Sequence, residues 1–302
     1  MSEYFWIEKL KVKPKYKLGQ NFLIDTDISR KITKLVQGQL ADPILEVGPG
    51  TGSLTNELLK DNYRIKAVEV DKAASDVLHE RFSGIPNIEI YNEDAMEFNY
   101  QTLTGPWWIF VSNLPYNIGT RLLVNLITEV PVIHRYVVMV QKEVGERMVA
   151  KTGTKDYGSL SVLFQLFTET KIQFDVSKNC FYPQPKVTST VVTIQRESLF
   201  DEDIRLKAFE ISKIAFQQKR KKIKSSLSSI INEEQLFKLN LDANLRASDL
   251  SPEDYFLVTI PPKIWNGFKG IESNESIIAN CLDNPHNEKE MVRRDPSDKY
   301  FN

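Results

Sequence analysis

Ile44-Leu45-Glu46-Val47-Gly48-Pro49-Gly50-Thr51-Gly52-Ser53-Leu54 is the stretch that decides how this chain folds. Residues 44–47 read as a short buried strand. Three glycines in GxGxG spacing read as a tight turn, and residues 54–60 carry helical spacing, with Ser53 placed to cap that helix. In an open α/β sheet, a glycine turn after the first strand lets backbone approach a ligand at the strand's carboxyl end. A plain strand–helix turn with no ligand is the bland reading of the same residues.

Strand–helix alternation continues outward. Runs 65–70, 88–91, 108–112 and 136–141 are strand-like, and runs 25–36, 72–82, 120–128 and 142–150 are helical. Such alternation predicts a mostly parallel sheet with helices on both faces. After a helical run at 159–167, strand-like runs at 171–176 and 190–195 are placed to form a hairpin-like edge around Pro183 and Pro185. The character then changes to helical runs at 204–216, 223–231, 233–239 and 252–258, the last opened by the helix-start signals of Ser251-Pro252-Glu253-Asp254. The expected division is a basic, extended N-terminal arm at 1–18 (Lys9, Lys11, Lys13, Lys15, Lys17), an α/β domain at 19–198, a small all-helical domain at 199–265, and a polar, net-acidic, flexible tail at 266–302.

Composition bounds the function. The chain has 302 residues, 41% of them hydrophobic, enough for a sizeable core. A net charge of −1 gives no global pull toward nucleic acid, so only local basic clusters could bind it. Two cysteines far apart and three scattered histidines offer neither a disulfide framework nor a zinc or other metal site. No apolar run approaches bilayer length, and the N-terminus has no signal or transit pattern, so the expected location is the cytoplasm.

The GxGxG spacing differs from the GxGxxG of dinucleotide sites, and Glu46 sits just before it. A nicotinamide cofactor needs pyrophosphate contacts at a helix N-terminus. An acid beside the turn favours instead a cofactor without phosphates that carries positive charge, and S-adenosylmethionine, with an amino group and a sulfonium, fits. Glu69, at the end of the second strand, is placed to accept hydrogen bonds from ribose hydroxyls, while Asp71 is placed to cap the next helix. Asp94, after the third strand, is placed either to accept from an adenine amine or to hold a turn.

Asn113-Leu114-Pro115-Tyr116 ends the run at 108–112. An amide, a carbonyl and an aromatic ring meet there, a set suited to gripping a planar ring with an exocyclic amine. The Asn113 side-chain oxygen and the Pro115 carbonyl are expected to hold the two amine hydrogens and Tyr116 to stack on the base. Read as structure alone, the same residues are a strand-ending turn with a packed tyrosine. Phe181 and Tyr182, on a proline-stiffened loop, offer a second face for a base or simply pack on the sheet. Lys219-Arg220-Lys221-Lys222 is the densest basic run, suited to phosphates or to a solvated face.

At these residues the chain resembles the ribosomal RNA adenine N6,N6-dimethyltransferase family. The resemblance rests on GQNFL at 19–23, EVGPGTG at 46–52, EVD at 69–71, EDAM at 93–96, NLPYNI at 113–118, QKEV at 141–144, YGSLSV at 157–162, FYPQPKVTSTVV at 181–192 and RASDLSPEDY at 246–255. It implies a Rossmann-like class I methyltransferase domain with a helical C-terminal domain. It implies S-adenosylmethionine as cofactor, touched by Asn21, Leu23, Gly48, Glu69, Asp94 and Asn113, with Phe181 as the second stacking aromatic. The substrate it implies is a pair of adjacent adenines near the 3′ end of small-subunit rRNA, modified by a monomer acting on the small ribosomal subunit, with no metal and no membrane. Phe216-Gln217-Gln218-Lys219-Arg220-Lys221-Lys222 departs from the family's usual FNQRRKT in having Gln217 for Asn, Lys219 for Arg and Lys222 for Thr, but stays basic. Two other readings share these features: a large-subunit rRNA adenine methyltransferase of the macrolide-resistance type, and a ribosome-assembly factor in which catalysis is secondary.

Overall fold

Apolar residues fill both faces of the central strands, which is why the sheet is covered on both sides. In the computed structural model, which describes residues 2–10, 19–37, 42–105, 107–197 and 202–259, Leu45, Val47, Phe110, Tyr136 and Val138 face one apolar cluster. Their neighbours Ile44, Ile109, Val111, Val137 and Met139 face the other.

The elements run α1 (Glu3–Lys9), β1 (Phe22–Leu23), α2 (Thr26–Thr33), β2 (Ile44–Val47), α3 (Ser53–Lys60), β3 (Ile65–Val68), α4 (Lys72–Arg81), β4 (Ile88–Tyr91), β5 (Trp108–Asn113), α5 (Gly119–Glu129), β6 (Ile133–Gln141), α6 (Lys142–Met148), α7 (Ser159–Phe167), β7 (Thr168–Val176), β8 (Phe181–Tyr182), β9 (Ser189–Arg196), α8 (Glu202–Gln217), α9 (Ile223–Ser226), α10 (Glu233–Lys238) and α11 (Pro252–Thr259). The main sheet has the order β4-β3-β2-β5-β6-β9-β7, and β1 pairs with β8 in a separate two-stranded ladder. Strands β4 to β6 are parallel. Strand β9 enters antiparallel between β6 and β7, the edge hairpin expected from the sequence.

The C-terminal helices close around Ala208, Ile211, Ile223, Leu227, Leu236 and Tyr255, together with Tyr157 and Val162 from the α/β part. Tyr157 donates to the Leu250 carbonyl at 2.9 Å across that seam. Ser251 and Asp254 form a reciprocal cap at the start of α11, with Asp254 N on Ser251 Oγ at 3.1 Å and Ser251 N on Asp254 Oδ2 at 2.8 Å.

Four expectations need correction. Ser53 is the first residue of α3 rather than its cap; Gly52 takes that place at φ +88°, and Ser53 Oγ instead meets Ser29 Oγ at 2.8 Å. The helical run at 223–231 is helical only as α9, then turns. Strand β3 ends at Val68, which leaves Glu69 just beyond the ladder. The basic arm is not extended at its start: Lys9 closes α1, a helix that Ser2 caps and that buries Trp6 and Ile7. Seven residues are too few to be helical alone, so packing against Phe22, Ala74 and Val77 accounts for it. Residues 11–18 and the tail at 266–302 lie outside the described residues.

Candidate active site

From β2 the chain steps outward through β3 and β4, then returns to lay β5 on β2's other side. At that reversal the loops leaving β2 and β5 diverge, and a crevice opens at the carboxyl ends of the two strands. The two strands are in register with Glu46 opposite Val111, and Ser112 Oγ donates to the Val47 carbonyl at 2.6 Å. The glycine turn and Asn113-Leu114-Pro115-Tyr116, about sixty residues apart in sequence, thereby share one cleft of ≈ 620 Å³ including its open mouth. Asn21, Leu23, Gly48, Glu69 and Asn113 line it, as do Pro115 and Tyr116.

The turn is left-handed at Gly48 (φ +64°) and Gly50 (φ +61°), a conformation that favours glycine. Space favours glycine too, most at Gly50. A Cβ on Gly50 would lie 2.9 Å from the Phe22 ring, and one on Gly48 would lie 3.2 Å from Pro115 Cγ.

Glu69 joins the turn to β3. Its Oε2 accepts from Gly50 N at 3.0 Å and its Oε1 from Asp71 N at 2.9 Å. Burial raises its pKa, against the lowering effect of those two donors. Asp71 caps α4 by accepting from Ala73 N at 3.2 Å, and it also accepts from Gln20 Nε2 at 2.7 Å, which ties the segment before β1 to the end of β3. Glu46 lies deeper, 1% exposed, where burial pushes its pKa up to about 8 despite a 2.7 Å hydrogen bond from Thr55 Oγ1. Burial thus favours its neutral form, so the acid beside the turn is not a standing charge.

Asn113 is oriented by a residue far away in sequence. Its Nδ2 donates to the Asn21 carbonyl at 3.1 Å, which leaves Oδ1 as an acceptor. The Pro115 carbonyl, expected to be the second acceptor, is already engaged: Ile118 N and Gly119 N donate to it at 3.2 and 2.8 Å as α5 begins. Both lone pairs are thus committed to the helix start. The Leu114 carbonyl accepts no hydrogen bond among the described residues, while Leu114 N donates to the Met139 carbonyl at 3.1 Å. Leu114 also lines the cleft, so its carbonyl, unlike that of Pro115, is left without a backbone donor beside Asn113. Tyr116 is half-buried, its hydroxyl 2.6 Å from Ser189 Oγ at the start of β9.

Two further candidates stand elsewhere. Asp94 is exposed after β4, holds a turn by accepting from Met96 N at 2.8 Å, and does not line the cleft. Phe181 is 2% exposed; its backbone pairs with Leu23, and its ring sits in the apolar cluster with Val176 and Val191 rather than on the cleft wall. Asn21 and Leu23 came only from the resemblance, and GQNFL carries no chemistry-bearing signal beyond Asn21; its place here is set by tertiary contacts. Lys219, Arg220, Lys221 and Lys222 are exposed between α8 and α9. Lys222 Nζ donates to Asn244 Oδ1 at 2.9 Å, and Lys219 Nζ reaches the Lys155 and Tyr157 carbonyls at 3.4 Å. Among the described residues no group of three or more His, Cys, Asp or Glu is placed to hold a metal, and no helix is long and apolar enough to cross a membrane.

A family model described as ribosomal RNA adenine dimethylase matches residues 11–260. The chain is 37% identical over 244 residues to ribosomal RNA small subunit methyltransferase A of Methylococcus capsulatus, covering 80% of this chain and 95% of that protein. It is 40% identical over 249 residues to the protein of the same name from Thermotoga maritima, covering 82% and 85%. Among solved structures it is similar to a dimethyladenosine transferase from Plasmodium falciparum (25% identity, TM-score 0.67, covering 78% and 94%). It is also similar to the 23S rRNA methyltransferase ErmE (26%, TM-score 0.62, covering 79% and 98%).

Proposed function

Because the chain belongs to the ribosomal RNA adenine dimethylase family, we propose that its cleft transfers methyl groups from S-adenosylmethionine to the N6 amines of two adjacent adenines near the 3′ end of small-subunit rRNA. The observation that carries the chemistry is Asn113, fixed by the Asn21 carbonyl with its oxygen left to accept, beside a glycine turn whose left-handed backbone packs directly on Pro115 and Phe22.

The donor set fits the cofactor. Glu69 presents a buried carboxylate at a strand end, suited to ribose hydroxyls, and Glu46 lies where a cationic amino group would draw out its proton. Gly48, Asn21 and Leu23 would complete the cradle. S-adenosylmethionine supplies an electrophilic methyl group on a sulfonium.

The chain's own residues present the amine. The adenine N6 lone pair is delocalised into the ring and is a poor nucleophile. In the first transfer Asn113 Oδ1 and the Leu114 carbonyl each accept one amine hydrogen and turn that lone pair toward the methyl group; in the second, the one hydrogen left on the methylated amine is held by one of them. These hydrogen bonds strengthen as positive charge develops on nitrogen, so they favour the transition state over the ground state. Once methylated, the nitrogen sheds an acidic proton to solvent, and no strong base is needed. Tyr116, anchored by Ser189, stacks on the base. Phe181 backs the β1–β8 ladder from the core in this structure, and Asp94 serves its turn.

Lys219, Arg220, Lys221 and Lys222 are read as phosphate contacts that position RNA without reading its sequence. The small ribosomal subunit in the cytoplasm is the partner this reading requires. The alternative of a large-subunit target is supported by the likeness to ErmE, at 26% identity, whereas the relatives at 37–40% carry the small-subunit name. Transfer of labelled methyl groups to purified unmethylated small and large subunits, with mapping of the label, tests the reading: small-subunit adenines are expected to carry it, and label confined to the large subunit overturns it.

A further inference from the structure

Helix α1 precedes the region matched by the family model, which begins at residue 11. It nevertheless reaches the back of the glycine turn. Glu3 and Arg81 form a two-pronged ion pair, with Arg81 Nη1 on Glu3 Oε2 at 2.8 Å and Nη2 on Oε1 at 2.7 Å. Their side chains are 4% and 6% exposed. The same Nη1 donates to the Thr51 carbonyl at 2.7 Å, inside the turn itself. Trp6 lies under the guanidinium, 5.3 Å from ring centroid to Cζ. Trp6, Ile7 and Leu10 also pack with Phe22, the ring against which Gly50 sits too closely to carry a side chain.

One short helix thus braces the turn at two consecutive residues, Thr51 through Arg81 and Gly50 through Phe22. From this geometry we infer that α1 is a clasp for the cofactor turn, with Glu3 and Arg81 as positioning residues that raise the affinity for S-adenosylmethionine without touching it. The guanidinium fork suits the task because its planar donors serve a carboxylate and a carbonyl in one fixed orientation. Lysine keeps the charge and loses the fork. Since linkage is reciprocal, a cofactor that binds better with α1 docked must in turn hold α1 down.

The inference rests on the reading that the turn binds S-adenosylmethionine, and its test separates the two. The full chain and its Glu3→Gln, Arg81→Lys and Trp6→Ala variants are titrated with S-adenosylhomocysteine by calorimetry, and amide exchange across residues 3–10 is measured with and without that ligand. Each variant is expected to weaken binding by roughly tenfold, a coupling of ordinary size. KM for S-adenosylmethionine should rise while KM for the RNA substrate stays put. Exchange across α1 in the unaltered chain should slow when ligand is added. Leu236→Ala, which destabilises the helical domain's core, should leave ligand affinity unchanged and so separates bracing from general loss of stability. Wild-type affinity in all three variants, or exchange across α1 that ignores the ligand, overturns the clasp while leaving the cofactor reading intact. Failure of the unaltered chain to bind S-adenosylhomocysteine overturns both.

Discussion

Asn113 Nδ2 lies 3.1 Å from the backbone carbonyl of Asn21, a residue 92 positions earlier in the chain. That single hydrogen bond orients the Asn113 amide: it uses one of the two N–H donors and leaves Oδ1, the side chain's one acceptor, free to accept. Replacing Asn113 by Ala removes the acceptor and should lower kcat by roughly 10²–10³-fold, the range for losing one positioned transition-state hydrogen bond. Binding of RNA should change little. Single-turnover rates with measured binding constants check both halves, and a loss confined to binding would remove the assigned role.

Tyr116 and Ser189 make a second long-range pair, 2.6 Å apart. Tyr116→Phe keeps the ring and loses the hydroxyl's hydrogen bond, so kcat/KM should fall only modestly. Tyr116→Ala loses the stacking face, and its kcat/KM should drop by the equivalent of roughly 1–3 kcal/mol. If the Phe variant proves as poor as the Ala variant, the hydroxyl rather than the ring is what matters.

Glu46 makes stability depend on pH in a defined direction. Its pKa is raised from 4.5 to about 8 in the fold, so between these values the folded chain holds a proton that the unfolded chain has released. The folded state then binds more protons, and stability falls as pH rises through that window. Glu46→Gln keeps an acceptor for Thr55 and removes the titration. Thermal unfolding from about pH 5 to about pH 8 should therefore show a flatter decline in the variant. Some slope remains, because Glu69 is shifted the same way. Identical slopes would mean Glu46 does not hold its proton.

Gly52 is packed more tightly than its neighbours. A Cβ there would lie 2.6 Å from Phe82 Cε2 and 3.0 Å from Leu78 Cδ2, on a backbone at φ +88°. Gly52→Ala should lower the melting temperature and weaken S-adenosylhomocysteine binding together, since the turn and α4 cannot both keep their places. A variant that melts like the wild type would show that α4 yields freely.

Arg220 and Lys221 are exposed and enter no ion pair among the described residues. Replacing both by Gln should weaken RNA binding and make the slope of log K against log salt shallower, by about 0.7–0.9 for each phosphate that is no longer neutralised. Unchanged affinity and slope would return the run to a solvated face.

The parts of this site legible in the sequence are local ones. The three glycines at 48, 50 and 52 specify their own turn, and Asn113-Leu114-Pro115-Tyr116 follows an apolar run that marks a buried strand. Parallel register then brings the two together, because neighbouring strands end side by side. What the sequence left unread depends on contacts between distant positions. The choice between the Leu114 and Pro115 carbonyls turns on where α5 begins. The seven-residue α1 has no stability of its own to betray it, and Glu3 meets Arg81 across 78 positions. Phe181 reads as a loop aromatic until its pairing with Leu23 carries it into the core.

The central claim is that Asn113 and the Leu114 carbonyl present an adenine amine of small-subunit rRNA to S-adenosylmethionine. Its most direct test is mass-spectrometric mapping of methylated nucleosides after incubating unmethylated small subunits with the wild-type chain or with Asn113→Ala. The account predicts N6,N6-dimethyladenosine at two adjacent adenines near the 3′ end with the wild type, formed roughly 10²–10³-fold more slowly by the variant at equal RNA occupancy. Methylation of another base or atom, or undiminished dimethylation by the variant, would contradict it.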